Sequence, residues 1–384
     1  MKQIHFLLVT FLSLISFCSC HQSESRRQVG ETTTSDSSVV VLAQPRYAKG
    51  YKVKYQNGLT LIDICDPQGG SKTEYHFALQ PKGEETDETV PSGYTLIKTP
   101  VKNLVCMTAL QLSNFICLER CDVVRGISST KHLYDEQIKS QIKDGVTHKI
   151  GIEGNFDDEV VMGLGTEVIL VSLFKRGGYE SLKECGIPLV PHMGYKELTP
   201  LGQAEWIKLV GLMIDEESRA DSLFSAIEER YNNLVKLTTN VKERPTVMSG
   251  EQKNGHWYAP GGRSFLAKIF ADAGADYFLK DNPDSGGVTM DFEAVYAKAA
   301  HVDYWRILNT YEGKYSYEVL GNEDSRHKDF KAYKDKGIIY CSLNEGPYYE
   351  LMPVQPDIIL ADFIYAFHPS LIPDYKPKFY HLLK

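Results

Sequence analysis

Catalytic signatures are what this 384-residue sequence has least of. It contains no GxxxxGK-S/T phosphate loop, no GxSxG nucleophile elbow and no HExxH helix. Each absence argues against a common route to nucleotide, acyl or zinc-dependent chemistry. Gly163-Leu-Gly165 lacks the third glycine of a dinucleotide fingerprint. Of the eight cysteines none forms a CxxC pair, so neither a zinc ribbon nor a thioredoxin-type redox motif is indicated. The histidines, among them His132, His148, His192, His256, His301 and His368, keep no ligand spacing. No metal site and no cofactor is therefore assigned. Positive charge is also short. The net charge is −8, whereas nucleic-acid binding needs a positive footprint. The apolar run over 4–17 is shorter than the roughly 20 residues of a membrane-spanning helix.

That run has another reading. It follows Lys2 and ends in Phe17-Cys18-Ser19-Cys20, which resembles a lipobox with Phe in place of the commoner Leu. Residues 1–19 are expected to be a lipoprotein signal peptide, and Cys20 to carry the lipid. Ordinary secretion with cleavage nearby is the alternative. The stretch 20–38 is rich in Ser and Thr and nearly free of large apolar residues. It cannot bury enough surface to offset ordering entropy, so a flexible tether is expected. The remaining cysteines, Cys65, Cys106, Cys117, Cys121, Cys185 and Cys341, fix no disulfide connectivity. Buried free thiols are expected of Cys117 and Cys121.

Patterning divides the rest. Tyr51 to Tyr55 alternates, Asn57-Gly58 marks a hairpin, and Leu59 to Ile64 and Tyr75 to Leu79 read as further strands. From Asn103 short apolar strands alternate with helices, the mark of parallel βαβ units. Strands are expected at 104–107, 123–127, 168–173 and 188–190, and helices at 110–118, 158–164 and 179–185. Thr199-Pro200 starts a helix running to about Ile214. A longer helix then follows, with Ala220, Leu223, Phe224, Ile227, Tyr231 and Leu234 on one stripe. Strands and helices alternate again from Thr246. The expected fold class is α/β: two Rossmann-like lobes joined by a long connecting helix, with a β-rich N-terminal lead-in. The first lobe with its lead-in covers 39–198, the helical connector 199–240 and the second lobe 241–384.

Over 103–384 this layout resembles the class III periplasmic binding proteins of ABC importers, those for iron-siderophores, cobalamin and haem. The stretches that carry the resemblance are GNFDDE at 154–159 with VILV at 168–171, TPLGQAEW at 199–206, and YAPGGRS at 258–264. ADAG at 271–274, MDFE at 290–293 and QPDIILAD at 355–362 complete it. The resemblance implies a ligand held between lobes that move little, because the connector is stiff. It implies permease docking through one glutamate on each lobe, Glu159 and Glu293 by position. Simple helix N-terminal charge is the alternative for both.

Candidate ligand contacts follow from residue chemistry. Trp257 and Tyr258 fall in a glycine-bearing segment, 250–262, read as a loop. Trp257 is either a packing anchor or a ligand platform. Gly261 and Gly262 would let backbone approach a ligand, and Arg263 adds a permanent cation. Tyr348 and Tyr349 could wall the second lobe, or pack as a tyrosine corner. In the first lobe Thr108, Leu110 and Tyr134 follow strands, and Glu153 lies on a further rim. The expectation is a membrane-anchored periplasmic lipoprotein, monomeric and not an enzyme. It would pass a ferric siderophore to an ABC permease. A corrinoid or haem is the alternative ligand. A surface lipoprotein without transport, or an extracytoplasmic enzyme, is the alternative class.

Overall fold

The computed structural model describes residues 44–56, 58–83, 90–152, 155–173 and 178–384, and the backbone of 39–41. Cys20, with the signal segment and tether expected at 1–19 and 20–38, lies outside the described residues, as do Asn57, Glu153 and Gly154.

The lead-in is a five-stranded sheet. Strands Val39–Val41, Tyr51–Gln56, Leu59–Ile64, Tyr75–Pro81 and Thr95–Thr99 lie in chain order, antiparallel except for the last pair. Strand alternation sends Tyr51 and Val53 inward and Lys52 outward. The inward face, with Ile62, Ile64, Phe77, Leu79 and Ile97, joins the main core.

The first lobe is a parallel sheet in the order Leu189–Pro191, Val168–Val171, Leu104–Cys106, Val124–Ile127, His148–Lys149. All of Val168–Val171 is buried, as for a strand covered on both faces. The helices are α1 (Ala109–Cys117), α2 (Glu136–Lys143), α3 (Asp158–Gly163) and α4 (Glu180–Glu184). Thr108 caps α1 in a reciprocal box with Gln111. Val123 belongs to a tight turn, Cys121–Val123, so the second strand begins one residue later than expected. Helix α2 carries mostly charged and polar side chains and buries only Ile138; its apolar signal is too sparse to stand out in the sequence.

The connector is α5 (Pro200–Ala204), α6 (Trp206–Ile214) and α7 (Glu217–Thr238). Asp215 takes a left-handed conformation that turns the chain from α6 into α7. At 22 residues, α7 runs about 33 Å. Ala220, Phe224, Ile227 and Tyr231 form its buried stripe. Leu223 and Leu234 pack at the margin.

The connector also grips the lead-in. Glu205, fully buried between α5 and α6, accepts hydrogen bonds from the backbone N–H groups of Arg46 (3.0 Å), Tyr47 (2.7 Å) and Ala48 (2.9 Å). Glu197 accepts from Lys49 N and Gly50 N, both at 2.9 Å, and from Trp206 Nε1 at 3.0 Å. Five consecutive backbone donors thus end on two carboxylates. A Cβ at Gly50 would stand 2.6 Å from the Trp206 ring, so only glycine allows this close approach.

The second lobe is a sheet in the order Asp276–Tyr277, Thr246–Ser249, Tyr304–Asn309, Ile338–Ser342, His381–Leu382, parallel but for the last strand. Its helices are α8 (Phe265–Asp272), α9 (Phe292–Ala299), α10 (Tyr317–Glu323), α11 (Lys331–Lys334), α12 (Tyr348–Leu351) and α13 (Pro356–Phe367). The segment read as a loop at 250–262 is mostly a hairpin. Glu251–Lys253 pairs with His256–Pro260, which pairs on its other side with Gly287–Met290, giving a three-stranded antiparallel sheet. Asp362 on α13 is fully buried. It fixes the chain end by accepting from Lys378 N, Phe379 N, Tyr380 N and the Tyr375 hydroxyl.

Candidate functional site

In open α/β sheets ligands bind beyond the carboxyl ends of the strands, where the strand order reverses. In the first lobe the order reverses at Leu104–Cys106, whose neighbours are Val124–Ile127 and Val168–Val171. Thr108 stands just past that end. In the second lobe it reverses at Thr246–Ser249, between Asp276–Tyr277 and Tyr304–Asn309. Ser249 is the last residue of that strand.

The two carboxyl ends meet. Tyr134, beyond the strand Val124–Ile127, donates its hydroxyl to Leu343 O at 3.1 Å, just past the strand Ile338–Ser342. The rings of His132 and Tyr349 lie 6.2 Å apart across the same junction, and α12 packs against α1. A narrow cleft beside it is lined by Met107, Thr108, Ser128, Ser129, Lys131 and Leu133, among others.

A cation stands at the second switch point. Arg306, on the central strand Tyr304–Asn309, is half-buried. Its Nη1 reaches Ser249 Oγ at 3.5 Å and its Nε donates to Tyr380 Oη at 3.0 Å. Tyr380 in turn exchanges a hydrogen bond with Tyr348 at 3.0 Å, and the guanidinium lies 5.0 Å from the Tyr380 ring centre. No carboxylate among the described residues pairs with Arg306 within 4.0 Å. Burial works against its charge, but Tyr380 and Tyr348 outweigh it and hold the guanidinium above its ordinary value. Burial also pushes the Tyr348 hydroxyl up to about 12, so it stays neutral at physiological pH. The arrangement offers one permanent cation and neutral hydroxyls, which suits holding an anionic oxygen.

The expected site residues are only partly brought together. Thr108, Tyr134, Tyr348 and Tyr349 gather at the junction, whereas Leu110 is placed only in the first turn of α1. Tyr348 is buried among Tyr349, Phe379 and Tyr380, so the exposed share of that wall falls to Tyr349. The platform role of Trp257 is corrected. Its ring is 0% exposed, packs on Trp305, His327 and Phe330, and donates Nε1 to Ser249 O at 3.2 Å. On a strand, alternation turns Trp257 in and Tyr258 out; Tyr258 lies on the exposed face of the hairpin sheet. The glycine expectation is corrected too. A Cβ at Gly261 would stand 2.2 Å from Asp284 O, and one at Gly262 2.1 Å from Leu279 O. The close approach is to the protein's own backbone. The N–H groups are taken as well, Gly261 by Gly286 O and Arg263 by Asp284 O. The Arg263 side chain is exposed in a groove of about 320 Å³ with Leu198, Lys268 and Lys280. Glu153 lies outside the described residues.

Arg306 and Ser249 escaped the sequence reading. The available signal was a lone charge in the otherwise apolar strand YWRILN over Tyr304–Asn309. Glu159 and Glu293 are both exposed, in the first turns of α3 and α9. Glu293 pairs with Arg326 at 3.4 Å. Cys106, Cys121 and Cys341 are buried free thiols, and Cys65, Cys117 and Cys185 are free and half-buried. Among the described residues no cluster of three or more His, Cys, Asp or Glu side chains is placed to hold a metal ion. Among them, too, no helix is long and apolar enough to cross a membrane.

Comparison with known proteins agrees with this geometry. Residues 168–343 match the family model described as periplasmic binding protein. An uncharacterized lipoprotein of Methanocaldococcus jannaschii is 24% identical over 365 residues, covering 87% of this chain and 84% of the relative. The molybdate-bound periplasmic binding protein MolA of Haemophilus influenzae shares the fold with a TM-score of 0.57 at 16% identity, over 73% of this chain and 90% of its own. An ABC-type Fe3+-hydroxamate transport system protein of Saccharomonospora viridis aligns with a TM-score of 0.52 at 17% identity, over 69% of this chain and 93% of its own. By the match over 168–343 and by the two parallel-sheet lobes around it, the chain is similar to the periplasmic binding proteins in that segment and shares their fold.

Proposed function

We propose that the chain is the lipid-anchored, extracytoplasmic substrate-binding component of an ABC importer, and that it captures a ferric siderophore between its lobes as a monomer. The observation that carries this reading is the Arg306 guanidinium at the second-lobe switch point, held by Tyr380 and Ser249 and without a carboxylate partner among the described residues. A ferric siderophore presents a bulky surface edged with anionic oxygens, which a fixed guanidinium and neutral hydroxyls can hold without chemistry. Arg263 adds an exposed cation on the flank of the same lobe. The lipoprotein name of the Methanocaldococcus relative and the Fe3+-hydroxamate name of the Saccharomonospora neighbour support the anchor and the ligand class. Cys20 would carry the lipid. Glu159 and Glu293, one on each lobe, would meet the permease.

Calorimetric titration with ferric hydroxamates, ferric catecholates, cobalamin and haem tests the reading. Calorimetry is preferred to tryptophan emission because Trp206, Trp257 and Trp305 are all 0–1% exposed. A ferric siderophore is expected to bind with a Kd of about 1 μM or tighter, and Arg306→Met to weaken it at least tenfold, about 1.4 kcal/mol, with unchanged Tm. A protein indifferent to all four ligand classes, or R306M binding like the parent, sinks the proposal. The double variant Glu159→Lys with Glu293→Lys is expected to abolish uptake and leave ligand affinity intact. Lost affinity in that variant counts against the docking role.

A further inference from the structure

A second-lobe carboxylate crosses to the first lobe. Glu350 on α12 is 2% exposed. Its Oε1 accepts hydrogen bonds from the backbone N–H groups of Tyr134 at 2.7 Å and Asp135 at 3.3 Å. These two residues open α2, where Asp135 is the N-cap and accepts from Ile138 N at 2.9 Å. The start of a first-lobe helix is thus capped partly from within and partly from the other lobe. Beside it lie the hydrogen bond from Tyr134 Oη to Leu343 O and the His132–Tyr349 ring contact.

The energetics make this contact conditional. Burial, with the nearby Asp135 carboxylate, raises the Glu350 carboxyl above the usual range; the two N–H groups and Lys139 pull the other way. A charge without those donors would be an orphan in an apolar junction. Once the lobes part, water reaches the carboxylate and the two N–H groups alike. The contact is therefore stable when closed, tolerable when open, and unfavourable between, which is the behaviour of a two-position element. The connector has no such alternative, because its carboxylates hold a segment that must stay folded.

We infer that Glu350 is a latch across the crevice, and that its bonds to Tyr134 and Asp135 break when ligand enters or leaves. The inference rests on the reading that ligand binds between the lobes. Two measurements keep the two claims apart. In the ligand-free protein, hydrogen exchange is followed on α1 and α12, whose own backbone amides Glu350 does not bind. Glu350→Ala is expected to raise exchange there at least tenfold, and Glu350→Gln, which keeps an acceptor oxygen, by less. Stopped-flow kinetics with the ferric siderophore found by titration are then expected to show both association and dissociation faster in E350A, dissociation by about tenfold. A residue that merely lines the crevice would speed dissociation and leave association unchanged. Unchanged exchange on α1 and α12 overturns the latch whatever the ligand does. Faster exchange with unchanged association overturns its gating role. If E350A fails to fold, E350Q carries the same test with a smaller effect of the same sign. Faster exchange in a protein that binds none of the siderophores leaves the latch standing and removes the ligand reading instead.

Discussion

Among the described residues, buried glutamates hold backbone N–H groups at the connector and at the crevice, and the two places are built to different strengths. At the connector, Glu205 and Glu197 together take the five donors of 46–50 and the Trp206 indole. At the crevice, Glu350 takes two donors through one oxygen. The connector clasp is backed by Trp206 against Tyr51 at 5.2 Å and by Lys208, 3.8 Å from Glu205. The crevice latch is backed by one phenol, one ring contact and the packing of α12 on α1. The same chemistry makes a permanent joint when several donors converge inside a core, and a reversible one when few do at an edge. A protein that captures ligand between its lobes, as proposed here, would need both.

The sharpest way to break this contrast is Glu205→Ala. Three backbone donors would be left without partners, at about 1–3 kcal/mol each. The expected loss is about 4 kcal/mol of unfolding free energy in urea, with the lead-in opening to protease between Gln44 and Gly50. The Glu350→Ala variant is expected to lose less than half of that. Equal losses at the two sites would erase the distinction between clasp and latch.

Acid separates the regions next. Burial raises the Asp63 carboxyl, but hydrogen bonds from Lys54, Tyr94 and His76 outweigh it and hold the group at about 2. A folded value below the ordinary 3.8 means stability that is present above pH 4 and lost as pH falls toward 2. The difference corresponds to about 2 kcal/mol, and it belongs to the lead-in sheet. Glu197 and Glu350 have the opposite sign: burial holds both above the usual carboxylate range. The folded state therefore gains from their protonation as pH drops through those raised values. Between pH 4 and pH 2 the stability of the parent is expected to fall, and Asp63→Asn to flatten that fall by about 2 kcal/mol in urea titrations. An unchanged slope in D63N would place the acid sensitivity elsewhere.

Much of the architecture was legible because it is written in periodicity. The alternation of Tyr51 to Tyr55 gave a strand, Thr199-Pro200 a helix start, and the stripe from Ala220 to Tyr231 the long connector. The site was legible only in part. Thr108 and Tyr134 were singled out because they follow strands, and they stand beyond strand ends at the meeting of the lobes. Trp257 was misplaced because the glycines and polar residues around it imitate a loop. Pairing with Gly287–Met290, far along the chain, is what makes it an inward strand residue. Arg306 carries a signal of another kind, a charge inside an apolar strand. Glu350 could not have been assigned at all. Its partners lie 216 and 215 residues away, and no local pattern records which carboxylate will meet which helix start.

The smallest expected effect is also the one that apportions the latch. Tyr134 contributes to the junction twice, through its N–H to Glu350 and through its hydroxyl to Leu343 O. Tyr134→Phe deletes only the second bond and keeps the ring, including its place 5.8 Å from Lys139 Nζ. A neutral hydrogen bond at a half-exposed edge is worth about 0.5–1 kcal/mol, so stability is expected to change by no more than that. Siderophore dissociation should quicken about two- to threefold, well short of the effect of E350A. The charged acceptor would then be the main element and the phenol its accessory. A larger effect from Y134F than from E350A would reverse that order. It would mean that the lobes are held by the neutral bond to Leu343 O, with the carboxylate serving only to cap α2.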